Sequence, residues 1–269
     1  MDGVQVMDDV ALDIRNLAIG YGGKGRNTIV ASGISTSLHK GEVVALIGRN
    51  GAGKSTLMRT LSAYQKPLSG EIFYAGQDSG YTSPQELAKK VSVVHTGVAS
   101  LSVTAEELVS FGRAPYTNFL GRMTKNDKVV VERSMKIMGI TDLSGRNIAT
   151  LSDGERQKCM IAKSLAQETP IMLLDEPTAF LDFPSKVQLF ATLTELARKH
   201  SKAILVSTHD MELSLRFADR IWLMHNGRLD TGTVSELSEN GALNAFLDDK
   251  RVQYNITDNR IEITDSNSI

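Results

Sequence analysis

The apolar run Val43-Val44-Ala45-Leu46-Ile47, preceded by Glu42, leads directly into Gly48-Arg49-Asn50-Gly51-Ala52-Gly53-Lys54-Ser55-Thr56. No other stretch narrows so far what the chain can become. The run reads as a strand buried on both faces, as in a parallel sheet, and the residues from Lys54 to about Ala63 read as a helix. The nine residues between satisfy G-x-x-x-x-G-K-[ST], a P-loop. Gly48, Gly51 and Gly53, with Asn50 among them, let the backbone curl until successive N–H groups converge with the helix N-terminus on one anion site. In such a cradle Lys54 reaches the β- and γ-phosphates of a nucleotide, Ser55 offers a hydroxyl to Mg²⁺, and Thr56 completes the motif.

A second stretch supplies acids. Ile171 to Leu174 is a short apolar strand ending in Asp175-Glu176, which sets two carboxylates at the carboxyl end of a strand, where open α/β sheets bind ligands. Asp175 suits a Mg²⁺ site reached through water, and Glu176 suits a base that orients and deprotonates an attacking water. A third stretch, Leu151-Ser152-Asp153-Gly154-Glu155-Arg156-Gln157, is a capping box opening a helix, with Ser152 as cap and Glu155 closing it. A serine and a close-approach glycine, Gly154, at a helix N-terminus make another anion site. It cannot readily share a nucleotide with the P-loop of its own chain, but it could serve that of a second copy.

Around these motifs the pattern is strand, helix, strand. Leu12-Asp13-Ile14 alternates as a half-buried strand, and the stretch from Gly20 to Gly25 reads as a flexible turn. Gly70 to Tyr74 is a strand, and Ser83-Pro84-Gln85-Glu86 opens a short capped helix. Thr104 caps another helix, and Asp127 to Met138 carries a further one. Ala203 to Val206 and Ile221 to Met224 are strands, a helix fills about Lys186 to Lys199, and Asn226-Gly227 makes a hairpin turn. This is the grammar of a doubly wound α/β sheet. With 30 Lys+Arg against 31 Asp+Glu, no basic excess points to nucleic acid. The single cysteine, Cys159, excludes an internal disulfide framework and fits a reducing compartment. Uninterrupted aliphatic stretches of about five residues fall far short of a membrane span, and the first residues lack the features of a secretory signal. The chain is expected to stay cytosolic and to meet a membrane through a partner.

Taken together, the P-loop, the Leu151–Gln157 signature and the Asp175-Glu176 pair resemble the nucleotide-binding subunit of an ATP-binding cassette (ABC) transporter. The likeness covers about residues 11–248. It implies an α/β P-loop fold with a mostly parallel central sheet, N-terminal antiparallel strands and a helical subdomain at about residues 97–165. Residues 249–269 are then a C-terminal extension, partly flexible. The resemblance further implies that Tyr21 stacks on adenine, that Ser152, Gly154 and Asp182 serve a nucleotide at a homodimer interface, and that His209 is a switch group for the γ-phosphate. The family usually has a glutamine after the strand Val91–Val94. This chain has His95-Thr96-Gly97, and Thr96 is the positional equivalent, with Gln85 rejected because it lies in a helix before that strand.

The stretch Leu108 to Tyr116, with Phe119 to Arg122, Asn126-Asp127 and the later Gly232 to Leu243, is similar to the importer group for iron-siderophore, haem and cobalamin compounds. Those cargoes are not separable from the sequence. The resemblance thus implies ATP and Mg²⁺ as cofactors. Its implied partners are integral membrane permease subunits and, indirectly, a substrate-binding protein, at the cytoplasmic face of the inner membrane. Two alternatives stand beside this reading: a soluble ABC ATPase in iron–sulfur assembly or export, and a regulatory ATP-binding subunit with little turnover.

Overall fold

Period-two burial starts with the first strand, β1 (Val10–Gly23), where Leu12 and Ile14 are buried while Arg15 faces outward. The computed structural model describes residues 9–23, 26–95, 102–117, 121–247, 252–255 and 260–263. β1 pairs antiparallel with β2 (Arg26–His39). Next come β3 (Val43–Gly48), α1 (Lys54–Leu61), β4 (Ser69–Tyr74), β5 (Gln77–Asp78), α2 (Pro84–Leu87) and β6 (Val91–Val94). Three helices follow, α3 (Ala105–Ser110), α4 (Lys125–Ile137) and α5 (Asp153–Ala166). The chain then re-enters the sheet with β7 (Ile171–Asp175), α6 (Phe183–His200), β8 (Ala203–Thr208), α7 (Met211–Phe217), β9 (Arg220–His225) and β10 (Arg228–Gly232). It closes with α8 (Val234–Glu239), α9 (Ala242–Leu247), β11 (Val252–Asn255) and β12 (Arg260–Ile263).

Two sheets organise these elements. The antiparallel one runs β2-β1-β4-β5; the larger runs β10-β9-β3-β8-β7-β6, parallel throughout except for β10 against β9. β3 lies between β9 and β8, and alternate residues point into different cores. Val44 and Leu46 pack with Leu12, Ile14 and Leu57 between the sheets. Val43 joins the core that the central sheet shares with α3 to α6, and Ala45 and Ile47 join Leu223, Leu237 and Tyr254 on the C-terminal side. Each such valine, leucine or isoleucine side chain contributes roughly 1.5–3 kcal/mol by leaving water. The strand that delivers the glycine loop is therefore anchored on both faces.

Two sequence expectations change. The stretch from Gly20 to Gly25 is not a turn at its start, because β1 continues through Gly23, opposite Arg26. A Cβ on Gly20 would lie only 2.0 Å from the Thr28 carbonyl oxygen, so glycine there permits close strand approach. α4 begins two residues before Asp127: Thr124 is its cap, and Asp127 is the acid that closes that capping box. The extension after residue 249 includes an antiparallel pair, Val252↔Ile263 to Asn255↔Arg260. Asn226 and Gly227 have φ of 48° and 73°, as the expected hairpin turn requires.

Candidate functional site

Gly53 sets the local geometry of the loop. It sits at the N-terminus of α1 with φ 108°, and no side chain caps the helix. A Cβ on Gly53 would lie 2.4 Å from Val30 Cγ1 and 2.9 Å from Met224 Cε, so only glycine fits. Gly51 also has positive φ, and a Cβ on Gly48 would approach the Met224 carbonyl oxygen to 2.7 Å. Asn50, Gly51 and Ser55 are exposed at the mouth of the loop, whereas Lys54 and Thr56 are buried. Lys54 Nζ donates to the Gly48 carbonyl at 2.7 Å, which folds the lysine across its own loop. Burial lowers the Lys54 pKa, opposed by the charges of Glu176 and Asp175. Tyr21, half exposed on β1 rather than in a turn, is hydrogen-bonded through its hydroxyl to Thr56 Oγ1 at 3.0 Å.

The acids occupy the end of β7, beside the end of β8. Ser207 Oγ donates to Asp175 Oδ1 at 2.6 Å and accepts from the Glu176 N–H at 3.1 Å; the same N–H also meets the Ser207 carbonyl at 3.0 Å. Glu176 has φ 48°, a left-handed backbone that costs a non-glycine residue on the order of 1–3 kcal/mol. This bend turns its carboxylate to His209 Nε2, 2.5 Å from Oε1. Ser207 thus serves both acids at once, a role invisible in a motif search. The only sequence signal was its place beside His209 at a strand end.

A second group lies apart. The Ser152 hydroxyl accepts from the Glu155 N–H at 3.3 Å, and Glu155 Oε2 accepts from the Ser152 N–H and Oγ, both at 2.8 Å. Those hydrogen bonds hold the Glu155 carboxyl below the usual range, the backbone one most. Asp182 caps α6 by accepting from the Ser185 N–H at 3.0 Å. The two caps come close through Gly154, whose missing Cβ would sit 3.1 Å from Leu181 Cδ2. Among the described residues no hydrogen bond or ion pair links Ser152, Gly154 or Asp182 to Lys54. The structure places Lys54 within reach of the charges of Asp175 and Glu176 and sets Glu176 against His209, whereas Ser152 and Asp182 are each engaged in capping a helix. Thr96 lies outside the described residues. His95 before it packs edge-on to Tyr64, with ring centroids 5.4 Å apart, and Gln85 is exposed on α2.

The donor set near the loop is hard oxygen, from Ser55 and Asp175, and among the described residues no three His, Cys, Asp or Glu side chains gather as a metal cage. Few protein oxygens, with the rest from phosphate and water, is the pattern that suits Mg²⁺. Among the described residues no helix is long and apolar enough to cross a membrane.

Comparison with known proteins agrees with this geometry. The family described as ABC transporter matches residues 31–179. The chain is 39% identical over 245 residues to an uncharacterized ABC transporter ATP-binding protein of Methanocaldococcus jannaschii, covering 90% of this chain and 83% of that protein. It is 35% identical over 239 residues to a petrobactin import ATP-binding protein of Bacillus subtilis, covering 88% and 92%. Among solved structures it resembles a metal-chelate type ABC transporter in an inward-facing conformation, with a TM-score of 0.76 at 26% identity over 89% of each chain.

Proposed function

We propose, from the premise that this chain belongs to the ABC transporter family as an ATP-binding subunit, that it hydrolyses ATP to drive a membrane permease importing an iron-siderophore, haem or cobalamin-type compound. The carrying observation is Glu176, bent by a left-handed backbone toward His209 at the edge of the sheet that also presents Lys54. The petrobactin importer subunit among the relatives supports the cargo class.

In this reading the first-turn N–H groups of α1 and the Lys54 ammonium hold the phosphates, with Lys54 leaving the Gly48 carbonyl to do so. Tyr21 faces the base. Ser55 and Asp175, with Thr96, would hold Mg²⁺, which would supply positive charge to offset that of the phosphates. Glu176 orients and deprotonates the attacking water, and His209 donates toward the γ-phosphate. Ser152, Gly154 and Asp182 act on the nucleotide of a second copy, so the working form is a homodimer. The ATPase body is residues 11–248, with its helical subdomain at about 97–165 and the extension beyond. It lies beneath the permease on the cytoplasmic face of the membrane, fed indirectly by a substrate-binding protein and independent of nucleic acid.

The test is Glu176→Gln, which keeps size and hydrogen bonding but removes the base. Phosphate release with ATP and Mg²⁺ should fall about 10²–10⁴-fold while ATP still binds. An unchanged rate removes Glu176 from this role. One observation favours a second reading, a regulatory subunit that binds ATP with little turnover: the His95-Thr96-Gly97 sequence replaces the usual glutamine. If wild type is inactive even with its permease and Thr96→Gln restores turnover, the second reading holds.

A further inference from the structure

The loop that carries His209 is held from both sides. On one side the Asp210 N–H donates to Thr208 Oγ1 at 3.0 Å, and Thr208 Oγ1 lies 3.4 Å from Thr178 Oγ1. On the other, Asp210 caps α7: its Oδ1 accepts from the Leu213 N–H at 3.3 Å, and its carbonyl accepts from Ser214 Oγ at 2.7 Å. His209 lies between two residues whose side chains are both engaged, and its imidazole meets Glu176.

The remaining carboxylate oxygen of Asp210 receives a bond from a different part of the fold. Lys186 Nζ donates to Asp210 Oδ2 at 3.1 Å, and both side chains are mostly shielded from solvent. Lys186 belongs to the first turn of α6, and its N–H donates to the Asp182 carbonyl at 3.0 Å, so it moves with the capped turn that Asp182 begins. The stretch back to Glu176 is stiffened by its own turns, with the Leu181 N–H on the Thr178 carbonyl and the Ala179 N–H on the Glu176 carbonyl, each at 3.2 Å. The contacts thus form a ring from Glu176 through the 178–182 turn to Lys186, across to Asp210, and back through His209 to Glu176. Glu176, Thr178, Lys186, His209 and Asp210 of this ring line one cleft of about 560 Å³.

We propose that Lys186 is a positioning residue for turnover: its ion pair with Asp210 holds His209 on Glu176 and ties that geometry to the turn carrying Asp182. The inference rests on the ATPase reading above. Though mostly shielded, the pair still reaches solvent, and an ion pair that water can screen contributes little to stability. Its consequence is orientation, and small misplacement of a reacting group can cost on the order of 10-fold or more in rate.

The test uses the purified full chain, alone and with its permease. Lys186→Met should lower kcat on the order of 10-fold with KM for ATP and Tm little changed. Lys186→Arg, which keeps the charge and can reach Asp210, should recover most of the rate. Asp210→Asn should lower kcat similarly, and the double variant should be no worse than the worse single one, because both remove the same link. Wild-type kcat in Lys186→Met, a loss confined to KM, or equal losses in the Met and Arg variants with a fall in Tm overturns the proposal. A second readout does not need turnover. In protein with labelled histidines, Lys186→Met should shift or broaden the His209 ring signals and leave those of His225 in place; unmoved His209 signals also overturn it. Absence of turnover in wild type, even with the permease, would instead count against the ATPase reading, and the histidine signals would then decide the role of Lys186.

Discussion

The N-termini of α1 and α5 are both suited to phosphate, yet they are finished in opposite ways. α1 starts at Gly53, which has no side chain to offer, and its buried lysine is folded onto the loop's own carbonyl. α5 starts at Ser152 with a complete capping box, in which serine and Glu155 satisfy each other's N–H groups. One end leaves donors open for a ligand; the other has its donors occupied until something competes for the serine. The contrast teaches that a helix end can bind an anion strongly only where it forgoes stabilising itself. The uncapped end therefore suits the principal phosphate site, and in the proposed homodimer the capped end suits a secondary one.

The largest expected effect tests whether the two ends belong to one site built from two chains. Lys54→Ala subunits and Ser152→Arg subunits should each be inactive. In a mixed dimer, one interface combines both lesions and the other combines intact Lys54 with intact Ser152. Activity should reappear on mixing, and crosslinked heterodimers of confirmed composition that bind nucleotide at neither interface would defeat the shared-site arrangement. A smaller effect separates capping from binding within one chain. Ser152→Ala should cost about 1 kcal/mol of stability in urea unfolding, as loss of a helix cap does, while nucleotide affinity of the isolated subunit stays at the wild-type value. Equal losses in both would mean that α5 contacts the nucleotide of its own chain.

The smallest effect concerns pH. The folded state holds the Glu155 carboxyl below its ordinary value of 4.5, chiefly through the Ser152 hydrogen bonds. A carboxyl with a depressed folded pKa adds stability that is present above its unfolded pKa and is lost as pH falls through the folded one. The stability difference between wild type and Glu155→Gln should therefore be constant near neutral pH and shrink in acid, below pH 4.5. A gap that persists or grows in acid would show that the capping carboxylate is not ionised in the folded chain.

What could be read in advance was whatever is encoded locally. The loop of Gly48 to Thr56, the acids ending β7 and the capping boxes at Ser83, Thr104 and Ser152 each depend on residues a few positions apart, and each forms. β2 carries no legible sequence pattern because its buried Ala31, Ile34 and Leu38 are scattered among polar residues and its register with β1 shifts repeatedly, which breaks a clean period of two. Gly20 is ambiguous for a related reason: a glycine needed for close strand approach looks, in sequence, like a glycine needed for a turn. Asp127 resembles a helix start because capping acids and caps are often the same residue type. The roles of Ser207 and Lys186 are not encoded locally, since their partners lie 32 and 24 positions away. Only the pairing of β7 with β8 and the docking of α6 beside α7 bring them into contact.

Gly53 carries a further implication. The space where its side chain would stand is walled by Val30 from the antiparallel sheet and Met224 from the parallel one, so one missing methyl group sets how far apart two separately hydrogen-bonded layers can lie at the loop. Over a lineage, those two walls cannot vary independently. A bulkier residue inherited at position 30 would press on the loop unless position 224 yielded volume, and the reverse. The glycine is thus a gauge of inter-sheet spacing, and natural substitutions at 30 and 224 are expected to arrive as compensating pairs, even though the two residues are almost two hundred positions apart and neither touches a phosphate.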